Sequence, residues 1–313
     1  MDPVHKNILQ VQLIIIHIRL PRALLAAMIG ALLGISGAAM QGLFRNPLAD
    51  PSLIGVTAGA STGASVMIVL GSHSVAGIWG LSLVSLGAFV GGMLAVLLVY
   101  YLANGATGTT VNGNAANRTA GGISVTTMLL AGIGITALAG SITSLMELIA
   151  DNGMLRRISL WRMGGLDGAN YSRVIIVTIV GSAVLLLLPR YSNALNALLL
   201  GESEARHLGI DLKRVKYALI LLVAAAVGTS VAMAGSIAFV GLVTPHIIRL
   251  LIGPNHRYLL PASALAGAVL LLLADTIART IIAPAELPTG VVTAIIGAPF
   301  FISLLRRYQY GFA

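Results

Sequence analysis

Cysteine is absent from this 313-residue chain, which excludes disulfides and thiolate-bound metal sites. Charge is scarce as well. Asp, Glu, Lys and Arg together make up 9% of the residues, against roughly 25% in a soluble domain. With 57% hydrophobic residues and a mean hydropathy of +0.95, a soluble fold of this length has no interior large enough to hide the apolar surface. The apolar-polar alternation of outer-membrane strands is missing too; the apolar runs are continuous, which excludes a β-barrel. There is no G-x-x-x-x-G-K-[ST] loop, and none of Lys6, Lys213 and Lys216 follows a glycine, so ATP has no phosphate cradle here.

What the chain has is grease in long runs. The predicted class is an all-α polytopic membrane protein with about nine transmembrane helices, forming a single transmembrane domain over 1–313. Spans are expected at 23–44, 53–70, 79–102, 123–149, 174–188, 217–234, 259–282 and 291–305. A shorter apolar piece at 237–244 runs into Pro245 and reads as a broken helix of the kind that lines a path. Residues 1–20 hold one apolar run, 13–18, too short to cross, and read as interfacial. Pro21 then suits the first turn of the next helix. The chain's 36 glycines recur four apart, as helices packed closely in lipid require: Gly30 with Gly34, Gly55 with Gly59 and Gly63, Gly87 with Gly91. The second set has Thr57, Ser61 and Thr62 beside it, so it reads either as close packing or as a partly polar wall of a path.

Polar stretches punctuate the runs. GESEARHLGIDLKRVK at 201–216 lies between two spans and must sit in water. Glu202 and Glu204 precede its basic residues, an order that suits a helix dipole. Gly209 is the expected stop for a short helix and Asp211 the expected cap of a second short one. The stretch is either a solvated connector or a docking surface. Two prolines, Pro47 and Pro51, forbid a continuous helix through 45–51. Residues 104–122 read as a flexible loop, and 151–173 as a polar island with Trp161 at an interface. If 201–216 is cytoplasmic, alternation puts the larger share of basic residues inside, so the formal charge of +9 calls for no nucleic acid. The cations left outside, Arg19, Arg22, Arg156, Arg157 and Arg279 among them, suit an acidic partner or lipid headgroups.

Four motifs carry a resemblance: RLPR at 19–22, GAAMQGLFRNPLADP at 37–51, GSIAFVGLVTPH at 235–246 and ELPTG at 286–290. Together they resemble the FecCD family, permease subunits of bacterial ABC importers for ferric siderophores, haem and cobalamin. The resemblance runs from about residue 17 to the C-terminus. It implies the type II ABC importer permease fold, with ten helices, the first of which is missing here. It further implies a homodimer in the inner membrane, with the path between the copies. Two ATP-binding cassette ATPases dock beneath and a periplasmic binding protein above. It implies no cofactor on this chain, ATP and Mg being held by the partner ATPase, and no catalysis.

Site residues follow from the same resemblance. The 201–216 stretch corresponds to the family's cytoplasmic coupling helices, with Gly201, Glu202, Glu204, Ala205, Arg206, Leu208 and Gly209 as ATPase contacts. Arg19, Arg22 and Arg279 correspond to positions that meet glutamates of the binding protein, Arg279 being equally placed to pair with Asp275 one turn away. Asn46 and Leu48 correspond to a cytoplasmic constriction, with Ser141 and Thr143 as candidates for a second. His246 reads as a structural histidine rather than a haem ligand, and the scattered methionines as packing. Haem is the first expectation for cargo, because 279–301 looks most like haem permeases, with ferric siderophore next and cobalamin third. The rival class is an ion-coupled secondary transporter. That needs acids in mid-membrane, and only Asp275 comes close, Glu147 and Asp151 standing at a helix end.

Overall fold

The computed structural model describes residues 11–71, 78–105 and 125–310, and every regular element among them is helical. In chain order these are α1 (Leu20–Phe44), α2 (Val56–Leu70), α3 (Ile78–Gly105), α4 (Val125–Ile149), α5 (Asn152–Met163), α6 (Tyr171–Leu187), α7 (Ser192–Leu200), α8 (Glu202–His207), α9 (Leu212–Ala234), α10 (Val240–Ile252), α11 (His256–Thr280) and α12 (Thr289–Tyr310). Among the described residues, six helical stretches are long and apolar enough to cross a membrane, and three shorter apolar helices accompany them. The loop expected at 104–122 lies outside the described residues apart from the last residues of α3.

The bundle is built around α1. Its residues are apolar on every side, and from Ile29 to Phe44 all are buried, as a helix with no polar face must be. It packs against α6, α7, α9, α10 and, most extensively, α11. The glycine spacing explains how it gets so close. A Cβ on Gly30 would strike the carbonyl of Gly267, one on Gly34 that of Ser263, and one on Gly37 that of Gly241. Thus α1 meets α11 and α10 backbone to backbone, where dispersion and Cα–H···O contacts replace side-chain packing. A second seam joins α2 to α3, with Gly59 against Gly91 and Gly63 against Gly87.

Several sequence expectations need correction. Residues 11–20 are not a separate interfacial segment. A single helical stretch runs Val11–Phe44, with a π turn at Ile15–Arg19 just before Pro21. The widened turn lets the ring of Pro21 enter a continuing helix. The second span begins later than expected: Pro51–Ile54 is a 3-10 turn, and Gly55, at φ 79°, caps α2 instead of lying on its face. The polar island contains a helix, α5, whose first turn is capped by the Asp151 carboxylate on the Met154 amide at 2.7 Å. Asp211 caps no second short helix but the long α9, accepting from the Arg214 amide at 3.1 Å. Finally, Pro245 does not end a helix. The break comes earlier, at Gly235 and at Phe239 with φ 68°, and α10 then runs through Pro245 to Ile252. Proline has no N–H for the carbonyl one turn back, that of Gly241, and this carbonyl is the one turned towards Gly37.

Candidate functional sites at the two ends of the bundle

Because α1 and α11 run antiparallel, two ends are defined by what they bring together. At one end the C-terminal part of α1 meets the start of α11, with Gly42 against His256. At the other, Arg22 near the start of α1 meets Asp275 near the end of α11.

The first end carries α7 and α8. Gly201, at φ 123°, turns the chain between them. In α8 the acids Glu202 and Glu204 occupy the first turn and Arg206 and His207 the last, matching the dipole. The helix closes on Gly209 at φ 81°, whose N–H donates to the Arg206 carbonyl at 2.8 Å, while the Ile210 N–H reaches back to Ala205 at 3.1 Å. Ala205 is fully buried against its own chain; it anchors α8 and is not available as an outward contact. Leu208 and Leu200, by contrast, are 65% and 70% exposed. Leu208, at the end of the short helix that carries Glu204 and Arg206, makes an exposed apolar tip among charges, the surface expected of a protein contact.

Two polar links hold this end to the bundle, and neither was expected from the sequence. Lys216, on α9, is 1% exposed and pairs with Glu202 at 2.8 Å; Arg206 approaches the same carboxylate at 3.8 Å. The signal was present in the spacing. Leu212, Lys216, Leu219, Ile220 and Val223 share the buried stripe of α9, so helical phase alone puts the ammonium inside. The second link ties α7 to α11: the Asn196 side-chain oxygen accepts from the His256 amide at 2.8 Å, and its NH2 donates to Asn255 at 2.9 Å.

Asn46 and Leu48 lie at this end, in the turn after α1. Asn46 shapes the turn, its side chain accepting from the Leu48 amide at 2.9 Å. Ser141 and Thr143 are not beside them. Where α4 meets the segment after α1, Ile135 lies against Gly55 and Gly132 against Leu53. Ser141 and Thr143 stand further along α4, about 15 Å beyond Gly132 at 1.5 Å per residue. Thr143 is buried and faces α2, its hydroxyl 3.1 Å from that of Thr62, whereas Ser141 is exposed and bonded to the carbonyl of its own turn. The two pairs therefore occupy separate places in the bundle, as two distinct constrictions would.

At the opposite end Arg22 is 7% exposed. Its Nε and Nη2 donate to the Asp275 carboxylate at 3.0 and 2.9 Å, and Nη1 donates to Glu286 at 2.7 Å. Asp275 also accepts from the Thr289 hydroxyl at 3.2 Å and pairs with Arg279 at 3.2 Å. The guanidinium fork of Arg22 is thus engaged inside the protein, joining α1, α11 and the loop before α12. Arg279 is half-buried and makes the within-helix pair that its spacing predicts, and Arg19 is exposed. Behind this network opens a cavity of about 650 Å³ with Arg157, Trp161, Asp167 and Arg173 on its walls.

Asp275 is held between two arginines, while Glu147 pairs with Arg162 at 2.9 Å and Asp151 serves as a cap. His246 is buried with its ring edge-on to Phe300 at 5.8 Å. No group of three or more His, Asp or Glu able to hold a metal ion occurs among the described residues.

The model of the FecCD transport family matches residues 4–307. The hemin transport system permease protein HmuU of Yersinia pestis is 42% identical over 296 residues, covering 94% of this chain and 83% of the relative. The cobalamin import system permease protein BtuC of Halobacterium salinarum is 43% identical over 299 residues, covering 94% and 74%. A solved ABC transporter, described as inward-facing and of the metal-chelate type, superposes with a TM-score of 0.84 at 33% identity, covering 98% of this chain and 90% of its own.

Proposed function

The chain belongs to the FecCD transport family, and from that premise we propose that it carries a metal-bound tetrapyrrole, haem first, across the membrane. At the coarser level it is a multi-pass permease of an ABC importer in the bacterial inner membrane, a transport subunit and not an enzyme. The finer reading has two copies of this chain enclosing the path. ATPase subunits grip Leu200, Glu204, Arg206 and Leu208, and a binding protein delivers cargo to the end that carries Arg19 and Arg279. ATP binding on the partner displaces α8, and the interface between the copies then opens to one side at a time.

The observation that carries this reading is the pairing of a charged, leucine-tipped helix at one end with exposed arginine at the other. A motor and an acidic cargo carrier need those two surfaces, and an ion-coupled carrier needs neither. Haem as cargo is supported by the 42% identity to the hemin permease over nearly the whole chain. Cobalamin is the second reading, supported by a cobalamin permease at 43%.

The test is reconstitution in liposomes with the cognate ATPase and binding protein, offering haem, cyanocobalamin and a ferric siderophore in parallel. ATP-dependent accumulation of haem is expected. Accumulation of cobalamin alone selects the second reading, and of the siderophore alone refutes both. Uphill transport by this chain on a proton or sodium gradient, without an ATPase, refutes the ABC reading itself.

A further inference from the structure

The six residues of α8 are too few to hold a helix by themselves. One side is joined to α7 through Gly201 and the other to α9 through a turn containing Gly209, both glycines at positive φ. Covalently, then, α8 hangs between two backbone joints. What closes the corner is the Glu202–Lys216 pair at 2.8 Å, which spans the Gly209 turn and ties the first turn of α8 to the second turn of α9. Lys216 sits on a stripe otherwise made of Leu212, Leu219, Ile220 and Val223, where leucine would pack without cost. A lysine buried there is tolerable only while a carboxylate meets it. Any movement of α8 away from α9 takes the carboxylate from that buried ammonium, so the pair resists separation more than a surface ion pair would. The neighbouring residue carries the contact onward: the Tyr217 ring meets Tyr100 of α3 edge-on at 5.2 Å.

We infer that Lys216 is a positioning residue that, through Glu202, makes α8 and α9 a single rigid lever, so that a push on α8 becomes a displacement of a membrane-crossing helix. This deepens the ATP-driven reading above and rests on it. Lys216 itself touches neither nucleotide nor cargo; it sets how much of the motor's work reaches the path.

The test uses the full complex of this chain, its ATPase and its binding protein in liposomes, scoring cargo imported per ATP hydrolysed. Lys216→Met fills the same space without charge. It is expected to hydrolyse ATP while importing about tenfold less cargo per ATP, the size of a typical coupling lost. Lys216→Arg, which keeps the charge, is expected to retain most of the wild-type ratio. A second measurement needs no disruptive variant. Since the chain lacks cysteine, spin labels go only where Ser203→Cys and Leu221→Cys put them, on exposed positions of α8 and α9. Their separation should stay constant with and without ATP and broaden in Lys216→Met. An unchanged cargo-to-ATP ratio in Lys216→Met, loss of hydrolysis and import in proportion, or a label distance that changes with nucleotide in the otherwise native chain would each overturn the inference. If the native complex fails to import on ATP at all, it is the ABC reading that has failed instead.

Discussion

Arg22 and Asp275 stand 253 positions apart in the chain, and the guanidinium of one closes on the carboxylate of the other through Nε and Nη2 at 3.0 and 2.9 Å. This pair joins the two helices with the most extensive contact in the bundle, α1 and α11, at the end where the glycine seam stops. Both side chains are buried, so each is the condition for the other's presence.

Asp275→Ala should therefore destabilise the folded subunit by about 3 kcal/mol, because it leaves a buried guanidinium with the exposed Glu286 as its remaining carboxylate. Thr289 loses its carboxylate partner at the same time. Thermal unfolding of the purified protein in detergent measures the loss, and a melting temperature within a degree of the native one would contradict it.

Gly37→Ala should cost about 1–3 kcal/mol, the usual penalty of overpacking, since its Cβ would collide with the Gly241 backbone and no flexible side chain is there to yield. Gly140→Ala is the matched control, with nothing within 4 Å of its Cβ. Helix propensity alone should leave it neutral or more stable by up to about 1 kcal/mol. The same unfolding assay compares the two.

Arg19→Glu should weaken capture of the binding protein about tenfold, chiefly through association rate and more at low salt, as expected of an exposed charge at an interface rim. Assembly with the ATPase should be unaffected. Surface-immobilised complex titrated with binding protein at two salt concentrations reads both effects. Arg22→Glu is not an equivalent probe, since it also breaks the pair with Asp275.

Leu208→Asp should lower ATPase capture about tenfold or more, because an exposed leucine in a charged rim is the natural anchor of such a contact, while binding-protein capture persists. Copurification of the ATPase with tagged permease measures it. Retained ATPase would place the motor's grip elsewhere.

Local chemistry was readable wherever one helix decides it. The four-residue glycine spacing of Gly30 with Gly34 and of Gly59 with Gly63 predicted close helix contacts, and those residues make them. Gly209 as a helix stop and the acid-then-base order of α8 were equally legible. Misreadings cluster where a neighbour overrides the local rule. Pro245 looks like a helix end until Gly37 is seen against the carbonyl that it leaves unbonded. Pro21 looks like a helix start until the π turn before it is seen.

From residue order alone came the membrane class, the succession of apolar spans and the water-facing stretch at 201–216. Lipid cannot satisfy a backbone amide, so hydropathy and run length by themselves dictate helices and their number. Tertiary structure alone decided where the few charges go. Whether Arg22 reaches a partner protein or Asp275 depends on segments 253 positions apart being brought within hydrogen-bond distance, and although helical phase turns Lys216 inward, only the fold sets Glu202 against it. An ion pair exists only at that distance, and no property of either residue announces it.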